Sequence, residues 1–271
     1  MRAVREQRLV FGEVAELYDL ARPSYPAPLV DDVVRMAGRS ARAVDAGCGT
    51  GKATTLLAAR GLAGVGVEAD LAMAEVARRK LAAYPAWRVD VSDFERWQAP
   101  AGDGPFDLVC SAQAWHWLDP EARLRKAHNL LRAGGWLALW WNRPAVDQAP
   151  GGPPPGGSRS AAIRALIEEI YAEVAPEIAG TAPTMGDPQP PGERGFPPEL
   201  TFSDPVRKSY EWSREYSADQ WVALLRTQSD HRLLPPQRLH ELTGRVHRVI
   251  DAQGGTYLHH YACWLWAAQK T

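Results

Sequence analysis

Between residues 41 and 145 short apolar runs alternate with amphipathic stretches, and this alternation leaves few folds open to the chain. "RAVDAG", "GVGVEAD", "WRVDVSD", "FDLVCSAQ" and "WLALWWN" read as strands, and their nearly continuous apolar content is that of strands covered on both faces. "KATTLLAARG", "LAMAEVARRKLAAY" and "PEARLRKAHNLLRAGG" read as the helices among them. Buried strands joined through helices predict an α/β fold, a doubly wound and mostly parallel sheet with right-handed crossovers.

Residues 1–40 read as a helical cover. "FGEVAELYDLARP" breaks at Pro23, and "PAPLVDDVVRMAG" sets Leu29, Val33 and Val34 on one face before stopping at Gly38. Beyond the core, 146–271 holds two breaker-rich stretches, "RPAVDQAPGGPPPGGSRS" and "APTMGDPQPPGERGFPPEL", around a helix in "AAIRALIEEIYAEVA". A strand in "VRKSYEWSREYS", helices in "ADQWVALLRTQ" and "PPQRLHELTGRVHRVIDAQGG", and a last strand in "TYLHHYACWLWAAQK" follow. The two late strands are expected at an antiparallel edge of the sheet.

At 271 residues and 45% hydrophobic content the chain can bury one main core with additions. Lys and Arg number 31 against 32 Asp and Glu, a net charge of -1, which argues against a polyanionic partner such as nucleic acid. The N-terminal stretch carries charges throughout and no apolar run long enough for a bilayer occurs, so no membrane partner is expected. Three widely spaced cysteines suggest no disulfide framework. A cytoplasmic setting is the expectation.

The turn after the first strand, "VDAGCGTG", fixes the ligand class. Gly47, Gly49 and Gly51 stand one residue apart, unlike the G-x-G-x-x-G spacing that cradles a pyrophosphate, and Asp45 sits at the strand tip. A carboxylate there repels phosphate and attracts an ammonium. Glu68 ends the second strand, where a carboxylate can accept both hydroxyls of a ribose. A nucleoside carrying an amino acid satisfies both, and S-adenosylmethionine is that ligand.

With these residues the sequence resembles the class I S-adenosylmethionine-dependent methyltransferases, in particular the methyltransferase type 11 group. "VDAGCGTG" is similar to the family's first motif, "GVGVEAD" to its ribose-binding strand, "PFDLVCSAQAWHWLDP" to its fourth-strand motif and "LLRAGGWLALWWN" to its fifth strand. The resemblance implies a Rossmann-like core and a cofactor held by Asp45, Gly47, Cys48, Gly49 and Gly51, with Glu68 and Ala69 at the ribose. Asp93 and Phe94 would flank adenine, although "DFERW" replaces the group's usual Leu-Pro, and Ser111, Ala112, Gln113 and His116 would line the sulfonium side. "YDLARPSYP" resembles a segment that closes over the cofactor, with Tyr18, Arg22 and Tyr25 toward the acceptor. "RTQSDHRLLPP" is similar to a segment of trans-aconitate methyltransferase-like relatives, and Arg226 and His231 there, with Trp115, are acceptor candidates.

Methyl transfer is an in-line displacement that demands alignment and exclusion of water, with a base only where the nucleophile must lose a proton. His116, between two tryptophans just after the fourth strand, is either that base or a structural ring. A small-molecule methyl acceptor is the expected partner. A nucleic-acid methyltransferase would carry an N/D-P-P-Y-like motif where "SAQAWHW" stands, and a binding protein that has kept the fold without transfer stays open. His259 and His260 point to opposite faces of a strand, and His240 and His247 are seven apart with no H-E-x-x-H, so no metal site is expected.

Overall fold

The computed structural model describes residues 14–145, 157–179, 196–197 and 199–271. The Pro/Gly-rich stretches at 146–156 and 180–195 lie outside the described residues.

Each expected element forms. The N-terminal cover is α1 (Ala15–Ala21) and α2 (Ala27–Ala37), and the core runs β1 (Arg42–Ala46), α3 (Lys52–Ala58), β2 (Ala63–Glu68), α4 (Leu71–Leu81), β3 (Trp87–Val91), β4 (Phe106–Ala112), α5 (Arg123–Leu130) and β5 (Leu131–Pro144). The additions are α6 (Gly157–Val174), β6 (Val206–Ser217), α7 (Ala218–Arg226), the four-residue α8 (Ser229–Arg232), α9 (Pro236–Ala252) and β7 (Thr256–Gln269). Among the described residues, α8 and a 3-10 turn at Trp115–Trp117 are absent from the sequence reading, α8 standing where a loop is expected.

All seven strands share one sheet, in the order β3-β2-β1-β4-β5-β7-β6. The first five are parallel, and β7 and β6 join antiparallel. The sheet is therefore mixed, with β7 running against the other six strands. Strand order reverses between β1 and β4, and in open α/β sheets the crevice for a ligand lies at the strand ends beside such a switch point.

Burial follows from the alternation of side chains. Ala43 joins a cluster with Leu29, Val33 and Leu57 under α2 and α3, whereas its neighbour Val44 joins Phe94, Trp115 and Leu139 on the opposite face. A third cluster packs Ile163 and Ile167 of α6, Leu224 of α7 and Leu242, Val246 and Ile250 of α9 onto Tyr216, Tyr257 and Tyr261 of the antiparallel edge. The helix α7 begins at a capping box in which Ser217 and Gln220 exchange hydrogen bonds. Asp32 of α2 accepts from Lys208 Nζ and Tyr210 Oη of β6, each at 2.6 Å, and these two donors hold its carboxyl well below the usual range. The first packing helix is thereby tied to the last sheet edge. Among the described residues no helix is long and apolar enough to cross a membrane.

Close approach of β1 and β2 depends on Gly64, since a Cβ there would stand 2.0 Å from the Ala43 carbonyl oxygen. Gly64→Ala is expected to lose about 3 kcal/mol or more of stability, because backbone must move to admit it. A urea midpoint equal to that of the native protein would show that the two strands do not approach this closely.

Candidate active site

At the switch point a cavity opens above the strand tips. Asp45, Gly47 and Gly49 form one side, Glu68, Ala69 and Asp70 at the end of β2 a second, and Ala112, Gln113 and Ala114 beyond β4 a third. Tyr18, Arg22 and Tyr25 of the N-terminal segment roof it, and Met73, Ser92, Phe94, Trp117 and Leu118 complete the wall.

The turn itself is shaped for backbone approach. Gly47 and Gly49 have φ of 71° and 57°, and a Cβ on Gly47 would lie 2.7 Å from the Ala114 Cβ. The left-handed backbone and the narrow gap both exclude a side chain. Glu68 braces this turn: one carboxylate oxygen accepts from the Gly49 N–H at 2.8 Å and the other from the Asp70 N–H at 2.9 Å. Burial raises its pKa against those two donors.

Asp45 is treated differently by its surroundings. Its side chain is fully buried, Oδ2 accepts from Thr54 Oγ1 at 2.6 Å, and Oδ1 has no hydrogen-bond partner of its own. Burial pushes its pKa up to about 6, with the charge of Glu68 adding to the rise and Thr54 and the Cys110 thiol opposing it. Across the cavity, Gln113 adopts the left-handed conformation with φ 60°, its Nε2 donates to the Asn142 carbonyl at 3.1 Å, and Oε1 has no partner. A buried acceptor without a donor costs about 1–3 kcal/mol. Two such acceptors on residues that line one cavity call for a ligand that brings N–H groups, and a cation satisfies Asp45 best.

The roof is fastened at both ends. Asp19 of α1 accepts from Thr50 Oγ1 at 2.7 Å and Lys80 Nζ at 2.6 Å, and Lys52 Nζ donates to the Asp19 carbonyl at 2.5 Å. Arg22 Nε and Nη2 donate to the Thr227 hydroxyl at 3.0 Å and its carbonyl at 2.7 Å, while the guanidinium lies over the Tyr18 ring. Tyr25 meets Trp140 edge-on at 5.9 Å.

Of the residues expected at the site, Asp45, Gly47, Cys48, Gly49, Glu68, Ala69, Phe94, Ala112, Gln113, Tyr18, Arg22 and Tyr25 come together around this cavity. Others stand elsewhere. Gly51 caps α3, and Ser111 is buried beneath the wall with its hydroxyl donating to the Ala46 carbonyl at 2.7 Å. Asp93 yields its place to Ser92 and Phe94 on either side. Trp115 is fully buried under Arg123, whose guanidinium covers its ring and donates to its carbonyl. His116 packs on Trp117 behind the wall, with neither ring nitrogen hydrogen-bonded, and burial drives its pKa down to about 4, Arg123 and Arg143 adding to the drop. Arg226 faces a groove between α1, α7 and α9, and His231 is buried between Tyr171 Oη at 2.5 Å and Asp230 at 2.7 Å. Thr54, Lys52, Met73 and Trp117 are participants that the sequence reading did not single out. For Thr54 the signal was present, because a hydroxyl on the inner face of the first helix is well placed to reach the first strand's tip.

Comparison with known proteins accords with this geometry. The family described as "Methyltransferase domain" matches residues 44–139. An uncharacterized methyltransferase of Mycobacterium tuberculosis is 40% identical over 138 residues, 51% of this chain and 54% of the relative, so the chain spans about half the length of the curated relatives it matches first. A Saccharomyces cerevisiae protein whose name gives it as an S-adenosylmethionine-dependent methyltransferase is 31% identical over 131 residues, 46% of this chain and 44% of that one. Among solved structures, one described as a type II methyltransferase from Anaeromyxobacter dehalogenans superposes over 92% of this chain and 97% of its own with a TM-score of 0.61. At 19% identity that likeness is one of fold.

The raised pKa of Asp45 has a consequence for stability. Between the unfolded value near 4 and the folded value of about 6 the folded state holds the extra proton, so stability from this group falls as pH rises through that window. Asp45→Asn is expected to gain on the native protein by of order 3 kcal/mol between pH 4 and pH 7. Urea titrations of both proteins at the two pH values check this, and a constant difference between them would mean that Asp45 is ionised throughout.

Proposed function

Because residues 44–139 belong to the methyltransferase-domain family, we propose that the chain binds S-adenosylmethionine in this cavity and passes its methyl group to a small-molecule acceptor. The observation that carries the reading is the pair of unpartnered acceptors, Asp45 Oδ1 and Gln113 Oε1, on residues that line one cavity with a glycine turn whose Gly47 leaves no room for a side chain. These residues fit the amino-acid end of that cofactor. Asp45 and Gln113 would hold its ammonium, the carboxylate of Asp45 becoming fully ionised as it does so. Glu68 would take the ribose hydroxyls with the lone pairs left over from Gly49 and Asp70, and Phe94 with Ser92 would border the adenine.

When bound, the cofactor supplies a methyl group made electrophilic by its sulfonium. The chain's own part is alignment and exclusion of water. Tyr18, Arg22 and Tyr25 cover the cavity, and the bonds from Asp19 to Lys80 and from Arg22 to Thr227 hold that cover shut. Release of the spent cofactor then requires both fastenings to part. His116 is assigned no proton transfer, since its ring lies behind the wall. A small acceptor suits a cavity roofed by the chain's own helix and a net charge of -1.

Isothermal titration with S-adenosylmethionine and S-adenosylhomocysteine tests the reading. Both ligands are expected to bind, with affinity falling as pH drops below about 6 because protonation of Asp45 removes the ammonium's partner. Asp45→Ala is expected to weaken both ligands tenfold or more, and Gln113→Gly, which preserves the left-handed backbone, several-fold. Binding of neither ligand to folded protein would overturn the proposal.

A further inference from the structure

Resting on the methyltransferase reading above, we propose that Arg214 of β6 receives an anionic group of the methyl acceptor, with Lys52 and Arg22 making that end of the cavity positively charged. Along β6 the residues Tyr210, Trp212, Arg214 and Tyr216 pair with Cys263, Tyr261, His259 and Tyr257 of β7 and share one covered face. Intervening positions such as Glu211, Ser213 and Glu215 are exposed. Arg214 is thus a cation between Trp212 and Tyr216, on a face where the periodicity calls for an apolar residue, whereas Lys208 at the start of that face is spent on Asp32. Its guanidinium lies 4.6 Å over the Tyr216 ring, and no carboxylate among the described residues pairs with it.

Its cationic neighbours are engaged within the chain. Arg22 spends its donors on the hydroxyl and carbonyl of Thr227, and Lys52 shares Asp19 with Lys80. Lys52 and Arg214 therefore stand near one another, and the carboxylate beside Lys52 is already engaged by Lys80. Their mutual proximity is registered by Lys52, which burial holds down to about 8 with Lys80 and Arg214 adding to the fall against the pull of Asp19. Tyr216 and Tyr261, joined hydroxyl to hydroxyl at 2.7 Å, sense both Arg22 and Arg214.

A continuous set of contacts connects Arg214 to the cavity. Tyr216 bonds Tyr261, Tyr261 stacks on Trp212 at 4.8 Å, Trp212 Nε1 donates to Asn142 Oδ1 at 3.0 Å, and the Asn142 carbonyl accepts from Gln113. The cofactor's own carboxylate is an unsuitable partner, because its amino-acid end belongs at the tips of β1 and β4. Strand β6 lies three places beyond β4, about 14 Å at ordinary strand spacing. An aromatic face attracts a cation only weakly, and a charge-assisted hydrogen bond to a bound anion is the stronger partner for a guanidinium. The chemistry that fits is a small acceptor carrying a carboxylate or similar anion away from the atom that is methylated.

The test uses the full chain saturated with S-adenosylhomocysteine and titrated calorimetrically with benzoate and with benzamide, its neutral counterpart. Benzoate is expected to bind at least tenfold more tightly. Arg214→Gln should erase that preference while leaving S-adenosylhomocysteine affinity unchanged, Arg214→Lys should keep part of it, and Arg207→Gln, on the exposed face, all of it. Equal binding of the two probes by the native protein, or a preference that survives in Arg214→Gln, would overturn the inference; the first comparison needs no variant to fold. Failure of S-adenosylhomocysteine to bind would instead fall on the methyltransferase reading.

Discussion

The ligand end of this molecule depends on a carboxylate that has been taken out of water and only half satisfied. Asp45 is fully buried at the tip of β1, with Thr54 on one oxygen and no hydrogen-bond partner on the other. Withdrawing such a group costs several kcal/mol, and here the cost shows as a pKa raised to about 6 rather than as an ion pair within the chain. Glu68, one strand away, is half-buried and accepts two backbone N–H groups, and so serves first as the brace that sets the glycine turn. The two carboxylates share an environment and differ in what remains open on them. One shapes the cradle, and the other keeps a valence for a cation.

Above the cradle, the cover ties distant parts of the chain together. Asp19 holds α1 to Thr50 and Lys80 of the core, and Arg22 holds it to Thr227 at the end of α7. Asn142 does comparable work at the other wall: its side chain donates to the Ser24 carbonyl and accepts from Trp212, while its own carbonyl positions Gln113. Residues from the N-terminal segment, the core and the C-terminal additions therefore meet at one cavity edge. Movement of the cover would therefore disturb contacts from all three parts of the chain at once, which suits the proposed reaction because it has to exclude water.

Local periodicity made the fold legible. Apolar runs, the break at Pro23 and the stop at Gly38 mark the elements correctly because strand and helix repeats depend on neighbours a few residues away. The cavity at the strand tips was legible for a related reason, since Asp45, the glycines, Glu68 and Gln113 lie at strand tips, and a parallel sheet brings its strand tips to one edge whatever the loops do.

Loops and pairings remote in sequence carried no such signal. His116 follows a strand tip as Gln113 does, yet three residues of 3-10 turn rotate its ring behind the wall. Gln113 holds a left-handed backbone that its residue type does not announce. Arg22 finds Thr227 across 205 residues, and Arg214 reaches its aromatic row only because β6 completes the far edge of the sheet. The sequence by itself determined the layers, the order of elements and the charge waiting at the strand tips, because each follows from short-range pattern. Which side chains turn toward the ligand, and which cations share one space, only the tertiary structure decided, because those directions are set by packing between segments that no local repeat connects.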